Sequence, residues 1–414
     1  MRIGVITTGV LPIPATKGGA VENLVVNLID ENEKNKLGEK ITIYSIHNKQ
    51  SYEISKKYNK CEFIFYKNNL FAEIMDSLIF WIAKNIFKKK NSQSYRYIVQ
   101  RILFLRKVSK DLKNKDYDKL LLENHESEYL ALKWHKNYIK YKDKYYYHCH
   151  NQLKSYYFCK DIMKKTKKFI CVSNFIANSV CSFMNIDKNQ TIVLRNCINE
   201  NKFLKELSVK EHDSLRKKLG FEKDDFVIIF AGRLIPEKGI KELVEAISLI
   251  NVNNIKLMIV GAPIFDLKVK TAYQIQIEQL VEKMKNKIVF TGYINYDDIY
   301  KYYKISNLAV LPSMWDDPAP LTIIESLTCK LPIITTNSGG IPEYATNDSA
   351  IILKRNKQLI SNIQNNILKL YNDKNKMKEM SDNCLIATME LTINNYYNNF
   401  ILIMKNGDVN EWFD

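Results

Sequence analysis

The sequence runs to 414 residues, too long for one ordinary core, and its 46% hydrophobic and 26% charged residues exclude an intrinsically disordered chain. The net charge of +17 is lopsided: residues 1–200 hold 35 Lys+Arg against 19 Asp+Glu, whereas residues 201–414 hold 27 against 26. An anionic partner is therefore expected for the first half, such as a membrane surface, a lipid-linked phosphate or a nucleic acid.

Eight scattered cysteines form no C-x-x-C pair, which argues against a zinc site or disulfide framework and fits a reducing compartment. The start, MRIGVITTGV, has a β-branched strand pattern without the apolar core of a secretory signal. The most apolar stretch, LFAEIMDSLIFWIAKNIF (70–87), contains Glu73, Asp76 and Lys84, too many charges for a membrane span. A cytoplasmic location is expected.

Short apolar runs alternate with helical patterns along the chain. The first half gives strands at 2–8, 40–46, 62–66, 119–124, 145–150, 168–173 and 191–196. The second gives 226–232, 256–262, 287–292, 308–313, 331–337 and 350–353. Runs apolar throughout suit strands covered on both faces, and strand–helix alternation suits parallel sheets. This predicts an α/β protein of two doubly wound Rossmann-like domains facing a cleft, 1–203 and 204–388, with 389–414 as a terminal helical segment. Ligands of such sheets bind beyond the carboxyl ends of the strands, so the loops there are where chemistry is sought.

The first such loop, TTGVLPIPATKGGAVENLV, ends in Gly18-Gly19 at a helix start. The two glycines either make a tight turn or let the backbone approach an anion at the helix N-terminus. The dinucleotide fingerprint G-x-G-x-x-G is absent. At 145–153, YYYHCHNQL ends a strand with His148 and His150, which project to one face at period two. His150, nearer the loop, is the preferred base or hydrogen-bonding partner, with His125 of the preceding strand end as its competitor.

In the second half, AGRLIPEKG places Arg233 and Lys238 just past a strand, a pair able to hold two phosphates or simply to face water. WDDPAPLTIIESL sets Asp317 in a loop and Glu325 about one turn into the following helix, with Ile323, Ile324 and Leu327 covering the sheet. Both acids are predicted to face one crevice. A nucleotide sugar would use one for sugar hydroxyls and the other for ribose; two-carboxylate hydrolysis is the rival chemistry. Asp316 beside Asp317 offers a weak divalent-ion pair. Gly339-Gly340 in SGGIPEYA offer backbone amides to an anion.

Taken together, VIIFAGRLIPEKG, KLMIVG, VFTGYI, DPAPLTIIES and LPIITTNSGGIPE resemble glycosyltransferase family 4, the retaining group 1 glycosyltransferases of GT-B fold. GGAVENLV, HCHNQL and ICVSNFIANSV carry the resemblance more weakly in the first half. The family's acid pair appears as Asp317-x7-Glu325, with Asp in place of the usual Glu and Ala319-Pro320-Leu321 in place of Phe-Gly-Leu. The resemblance implies that Arg233 and Lys238 bind the donor diphosphate and that Glu325 binds the nucleotide ribose. Asp317 and the backbone at Leu321-Thr322 would contact the transferred sugar, and Gly18 and Gly19 would lie beside the diphosphate. It implies a hexosyltransferase with no metal and no cofactor, since the nucleotide sugar (UDP- or GDP-linked) is a co-substrate.

The acceptor is expected to be a glycan or lipid-linked sugar of lipopolysaccharide, capsule or other surface polysaccharide. Residues 79–115 hold eleven Lys+Arg against one acid, interleaved with aromatics and leucines. That pattern suits either a helix lying on an anionic membrane or a solvated helix packed on its own domain. The competing readings are a nucleic-acid- or membrane-binding protein on a degenerate scaffold, and a sugar-nucleotide epimerase. No nucleic-acid reader motif accompanies the charge.

Overall fold

The computed structural model describes residues 1–16, 19–87, 95–261, 272–282 and 284–407. They fold into two units, Met1–Arg195 with Asn394–Asp414, and Asn196–Ile393. The chain passes between them at Arg195–Asn196 rather than between 203 and 204. The reason is local packing: Phe203 is fully buried against Tyr296 and Tyr303, and the main-chain N–H of Asn196 donates to the Tyr344 hydroxyl at 2.9 Å.

The first unit is a seven-stranded parallel sheet in the order β3-β2-β1-β4-β5-β6-β7. Its strands are β1 (Arg2–Ile6), β2 (Lys40–Ile46), β3 (Cys61–Tyr66), β4 (Lys119–Glu123), β5 (Tyr145–Cys149), β6 (Phe169–Cys171) and β7 (Thr191–Val193). The second is a six-stranded parallel sheet in the order β10-β9-β8-β11-β12-β13. Its strands are β8 (Phe226–Ala231), β9 (Ile255–Val260), β10 (Ile288–Gly292), β11 (Leu308–Leu311), β12 (Ile333–Thr336) and β13 (Ala350–Leu353). Both are doubly wound, as the apolar runs predict, because each central strand is covered on both faces: β5 and β11 are buried at every position.

The order reverses between β1 and β4 in the first sheet and between β8 and β11 in the second. These switch points open a crevice where the connecting loops diverge. Most predicted strands are longer than those observed, because the polar residues after each apolar run belong to the loops that carry chemistry. The helix Ile393–Asn406 packs on the first unit from Asn394 onward, where Tyr397 donates to Asn32 Oδ1 at 3.0 Å and Lys405 pairs with Glu39 at 3.1 Å.

Candidate active site

In the second unit, the ends of β8 and β11 and the loop before the helix Leu321–Thr328 enclose a small cavity. Lys238, Ser313, Asp317, Pro320 and Thr322 line it. Lys238 ends the short 3-10 turn Pro236–Lys238 and donates to Asp317 Oδ2 at 2.5 Å. Asp317 is buried, so this ammonium is its charge partner. The helix Leu321–Thr328 begins behind Pro320 with no side-chain cap, which leaves its first amides and positive dipole end open toward an anion. Arg233 is exposed and has no partner among the described residues, so its fork remains available to a ligand.

The glycine pair supports the loop that carries Asp317. Gly339 has a φ of 57°, and a Cβ there would stand 2.4 Å from the Asp317 carbonyl oxygen, so only glycine fits. The amide of Gly340 donates to that same carbonyl at 2.8 Å. The pair therefore clamps the loop that presents Asp317, and the Gly340 amide is spent on that clamp rather than on a ligand. Asn196, which sequence reasoning missed, supports the loop from another side by donating its side-chain amide to the Ala319 carbonyl at 3.0 Å. Asp316 turns away to pair with Arg355, so the two adjacent aspartates do not converge on one ion.

Glu325 does not join Asp317 in the cavity. Its buried carboxylate accepts the Tyr303 hydroxyl at 2.9 Å and a second hydrogen bond from Tyr296. Burial pushes this carboxyl up to about 7, against the pull of the two tyrosines and of Lys202. Lys202 itself lies over the Tyr296 ring at 4.1 Å. None of these three partners was legible locally, because each comes from a different element.

In the first unit, the carboxyl ends of β4 and β5 bring together a second cluster. His150 Nε2 lies 2.7 Å from Glu123 Oε1, and His148 Nδ1 lies 3.0 Å from the same oxygen. The two imidazoles are 4.0 Å apart between ring centroids, on one face as period two requires. Burial opposes ionisation of Glu123, but His148 and His150 outweigh it and hold the carboxyl down to about 2. Burial, with His148 beside it, brings His150 down to about 4 and leaves it neutral at pH 7. We assign the Nε2–H of His150 and the Nδ1–H of His148 as donors to Glu123, which frees His150 Nδ1 as an acceptor. Glu123, His148 and His150 are the one group of three that could hold a metal among the described residues. Glu123 Oε1, His148 Nδ1 and His150 Nε2 converge as hydrogen bonds, while Glu123 Oε2 and His148 Nε2 are buried without a partner among the described residues.

His125 is otherwise engaged. Its Nε2 lies 2.6 Å from Arg101, and its Nδ1 contacts Ser127. Burial and Arg101 push it down to about 3. Gly19, with a φ of 109°, opens the helix Ala20–Lys34, and Gly18 lies outside the described residues. A Cβ on Gly19 would stand 2.0 Å from Glu22 Oε2, so the helix entrance expected to hold a diphosphate is presently covered by a carboxyl group. Burial raises Glu22 to about 7.

Comparison with known proteins bears on the second unit and on the fold. Residues 211–384 match the family of glycosyl transferases group 1. An uncharacterised glycosyltransferase of Methanocaldococcus jannaschii is 31% identical over 176 residues, 42% of this chain and 43% of that one. A UDP-Gal:α-D-GlcNAc-diphosphoundecaprenol α-1,3-galactosyltransferase of Escherichia coli is 28% identical over 226 residues, 53% of this chain and 55% of that one. The chain spans about half the length of these curated relatives. Among solved structures, Anabaena HepE in complex with UDP-glucose superposes with a TM-score of 0.70 at 15% identity, over 97% of this chain and 98% of that one. The second unit is thus a group 1 glycosyl transferase domain, and the chain as a whole has the GT-B fold.

Proposed function

We propose that the chain transfers a hexose from a UDP- or GDP-sugar to a glycan or lipid-linked acceptor, with retention of configuration, in the synthesis of a bacterial surface polysaccharide or lipopolysaccharide. The observation that carries the reading is the second unit's cavity. A lysine, an uncapped helix start and a buried aspartate meet there, with an exposed arginine two residues past the end of β8, inside the segment that matches the family. The E. coli relative's donor and diphosphoundecaprenol acceptor, and the UDP-glucose bound to HepE, support the substrate classes.

In this reading the donor diphosphate takes Lys238 away from Asp317 and engages Arg233 and the open amides at Leu321-Thr322. Asp317, released, grips hydroxyls of the transferred sugar. The acceptor oxygen bonds to the anomeric carbon on the face the diphosphate vacates. The carbon–oxygen bond to the diphosphate breaks, its electron pair stays on the phosphate oxygen, and that oxygen takes the acceptor proton. Cations and amides already aimed at the growing charge supply the electrostatic stabilisation, which is usually the largest catalytic term. His150, neutral and oriented by Glu123, accepts a hydrogen bond at Nδ1 rather than ionising. No metal or cofactor has a part in the proposal.

The test is thermal stabilisation by UDP, GDP and their common sugars with EDTA present, followed by transfer of labelled sugar to polyprenyl-diphosphate-linked acceptors. A shift with one nucleotide family and transfer in EDTA is expected. No shift with any nucleotide, or transfer abolished by EDTA and restored by a divalent ion, would sink the reading.

A further inference from the structure

One surface of the first unit is left unexplained by sugar transfer. The helix Leu70–Asn85 exposes Leu70, Phe71, Ile74, Leu78 and Trp81, each between 48% and 75%. At 3.6 residues per turn these five fall within an arc of about 100°. The opposite arc carries Ala72, Asp76 and Ala83, all buried. Asp76 anchors the helix from below by accepting the amides of Val99 at 2.8 Å and Gln100 at 2.9 Å, at the start of the helix Ile98–Asn114. The fully buried contacts of the helix are small residues and an acid, Met75, Ile79, Phe80 and Ile82 are half-buried, and the arc of Leu70, Phe71, Ile74, Leu78 and Trp81 is turned to water, where an ordinary surface helix carries polar residues.

The strongly basic helix that follows behaves conventionally. Ile98–Asn114 buries Phe104, Leu105, Val108 and Leu112 in its own unit. The apolar contact thus moves from the basic helix to its neighbour, while the charge stays close by. Lys84 and Arg96 both lie about the Phe80 ring, at 6.0 and 5.9 Å. In sequence, Phe87 is followed at once by Lys88, Lys89 and Lys90.

We propose that the exposed face of Leu70–Asn85 is a docking surface for an anionic lipid bilayer. A helix of 16 residues is about 24 Å long and carries Glu73, Asp76 and Lys84, so it lies in the interface rather than crossing it. No helix of the described residues is long and apolar enough to cross a membrane. Charge complementarity selects the occupant. Lys84 and Arg96 beside Phe80, with the lysine and arginine excess of residues 1–200, attract anionic headgroups, while a second copy of a chain with net charge +17 would bring like charges together. The inference deepens the lipid-linked acceptor reading, and it can be measured without any turnover.

The experiment is co-sedimentation of the full chain with vesicles of phosphatidylethanolamine and phosphatidylglycerol, and with vesicles of phosphatidylcholine alone. Binding to the anionic vesicles is expected to be at least about tenfold stronger. The paired substitution of Ile74→Glu with Trp81→Glu should cut it about tenfold or more while leaving the circular dichroism spectrum and the nucleotide thermal shift intact. Brominated lipid should quench tryptophan fluorescence in the wild type and fail to do so in Trp81→Phe. Equal binding to both vesicle types, or binding unchanged in the paired variant, would overturn the proposal. So would a concentration-dependent dimer abolished by that variant, which would name a second copy as the occupant. Loss of vesicle binding with transfer to a soluble acceptor intact removes the docking surface and leaves the transferase standing.

Discussion

Glu123 in the first unit and Glu325 in the second are both buried to within 3% of complete exclusion, yet the first is held down to about 2 and the second pushed up to about 7. Burial acts in the same direction on each, so their partners make the difference. Two imidazoles face Glu123, whereas two phenols face Glu325. Phenols donate hydrogen bonds but bring no charge, and they cannot offset the cost of burying an anion. Asp317 shows a third solution, a single ammonium at 2.5 Å that a diphosphate can compete for. A buried carboxylate in this protein is thus structural, titratable or exchangeable according to what it faces.

The largest effect that would test the comparison comes from removing the acid that two histidines share. Glu123→Ala leaves two buried imidazole donors without their acceptor, and a loss of about 2–6 kcal/mol in urea unfolding is expected, at about 1–3 kcal/mol for each. A cost below about 1 kcal/mol would mean that the cluster is wet and the charge assignment wrong.

Next in size is Lys238→Ala. It should lower kcat/KM for transfer by roughly 10²–10³ if the lysine stabilises the departing diphosphate, with the fold retained. Wild-type turnover in the purified variant would leave the ion pair with Asp317 as a purely structural feature.

The smallest effect is in pH. Glu325 rises from 4.5 to about 7 on folding, so the folded chain holds this proton more tightly than the unfolded one. Its contribution is most favourable below pH 4.5 and declines as pH rises through 7, by up to on the order of 3 kcal/mol. Glu123 has the opposite sign, with stability present above 4.5 and lost as pH falls toward 2. Glu22, also raised to about 7, adds a slope parallel to that of Glu325. Glu325→Gln should flatten its share of the decline between pH 5 and 8, with Glu22→Gln separating the rest. An unchanged slope in Glu325→Gln would show that the carboxyl is ionised in place.

Much of the site could be read from the chain itself. β-Branched runs such as FVIIFA and LAVL mark strands, and the loops beyond them hold Arg233, Lys238 and Asp317 because ligands of parallel sheets gather there. Reading failed where one residue's role depends on another far along the chain. Asp316 offered, with Asp317, a weak pair of ligands for a divalent ion until Arg355 claimed it. Gly340 looked like an anion donor until the Asp317 carbonyl claimed its amide. The helical phase of 70–85 could have been plotted, but nothing local says which arc meets the sheet, and the buried arc proved to be the one with Asp76.

By itself, then, the sequence determined the elements, their parallel arrangement and the loops in which chemistry resides, because side-chain periodicity and turn residues act over a few positions. The tertiary structure alone decided the charge of each buried acid, the availability of each amide and the face each helix shows to water. Those properties depend on hydrogen-bond donors and packing partners brought from distant positions, as His150 is to Glu123 and Tyr303 to Glu325, and on the loss of water that makes such partners matter.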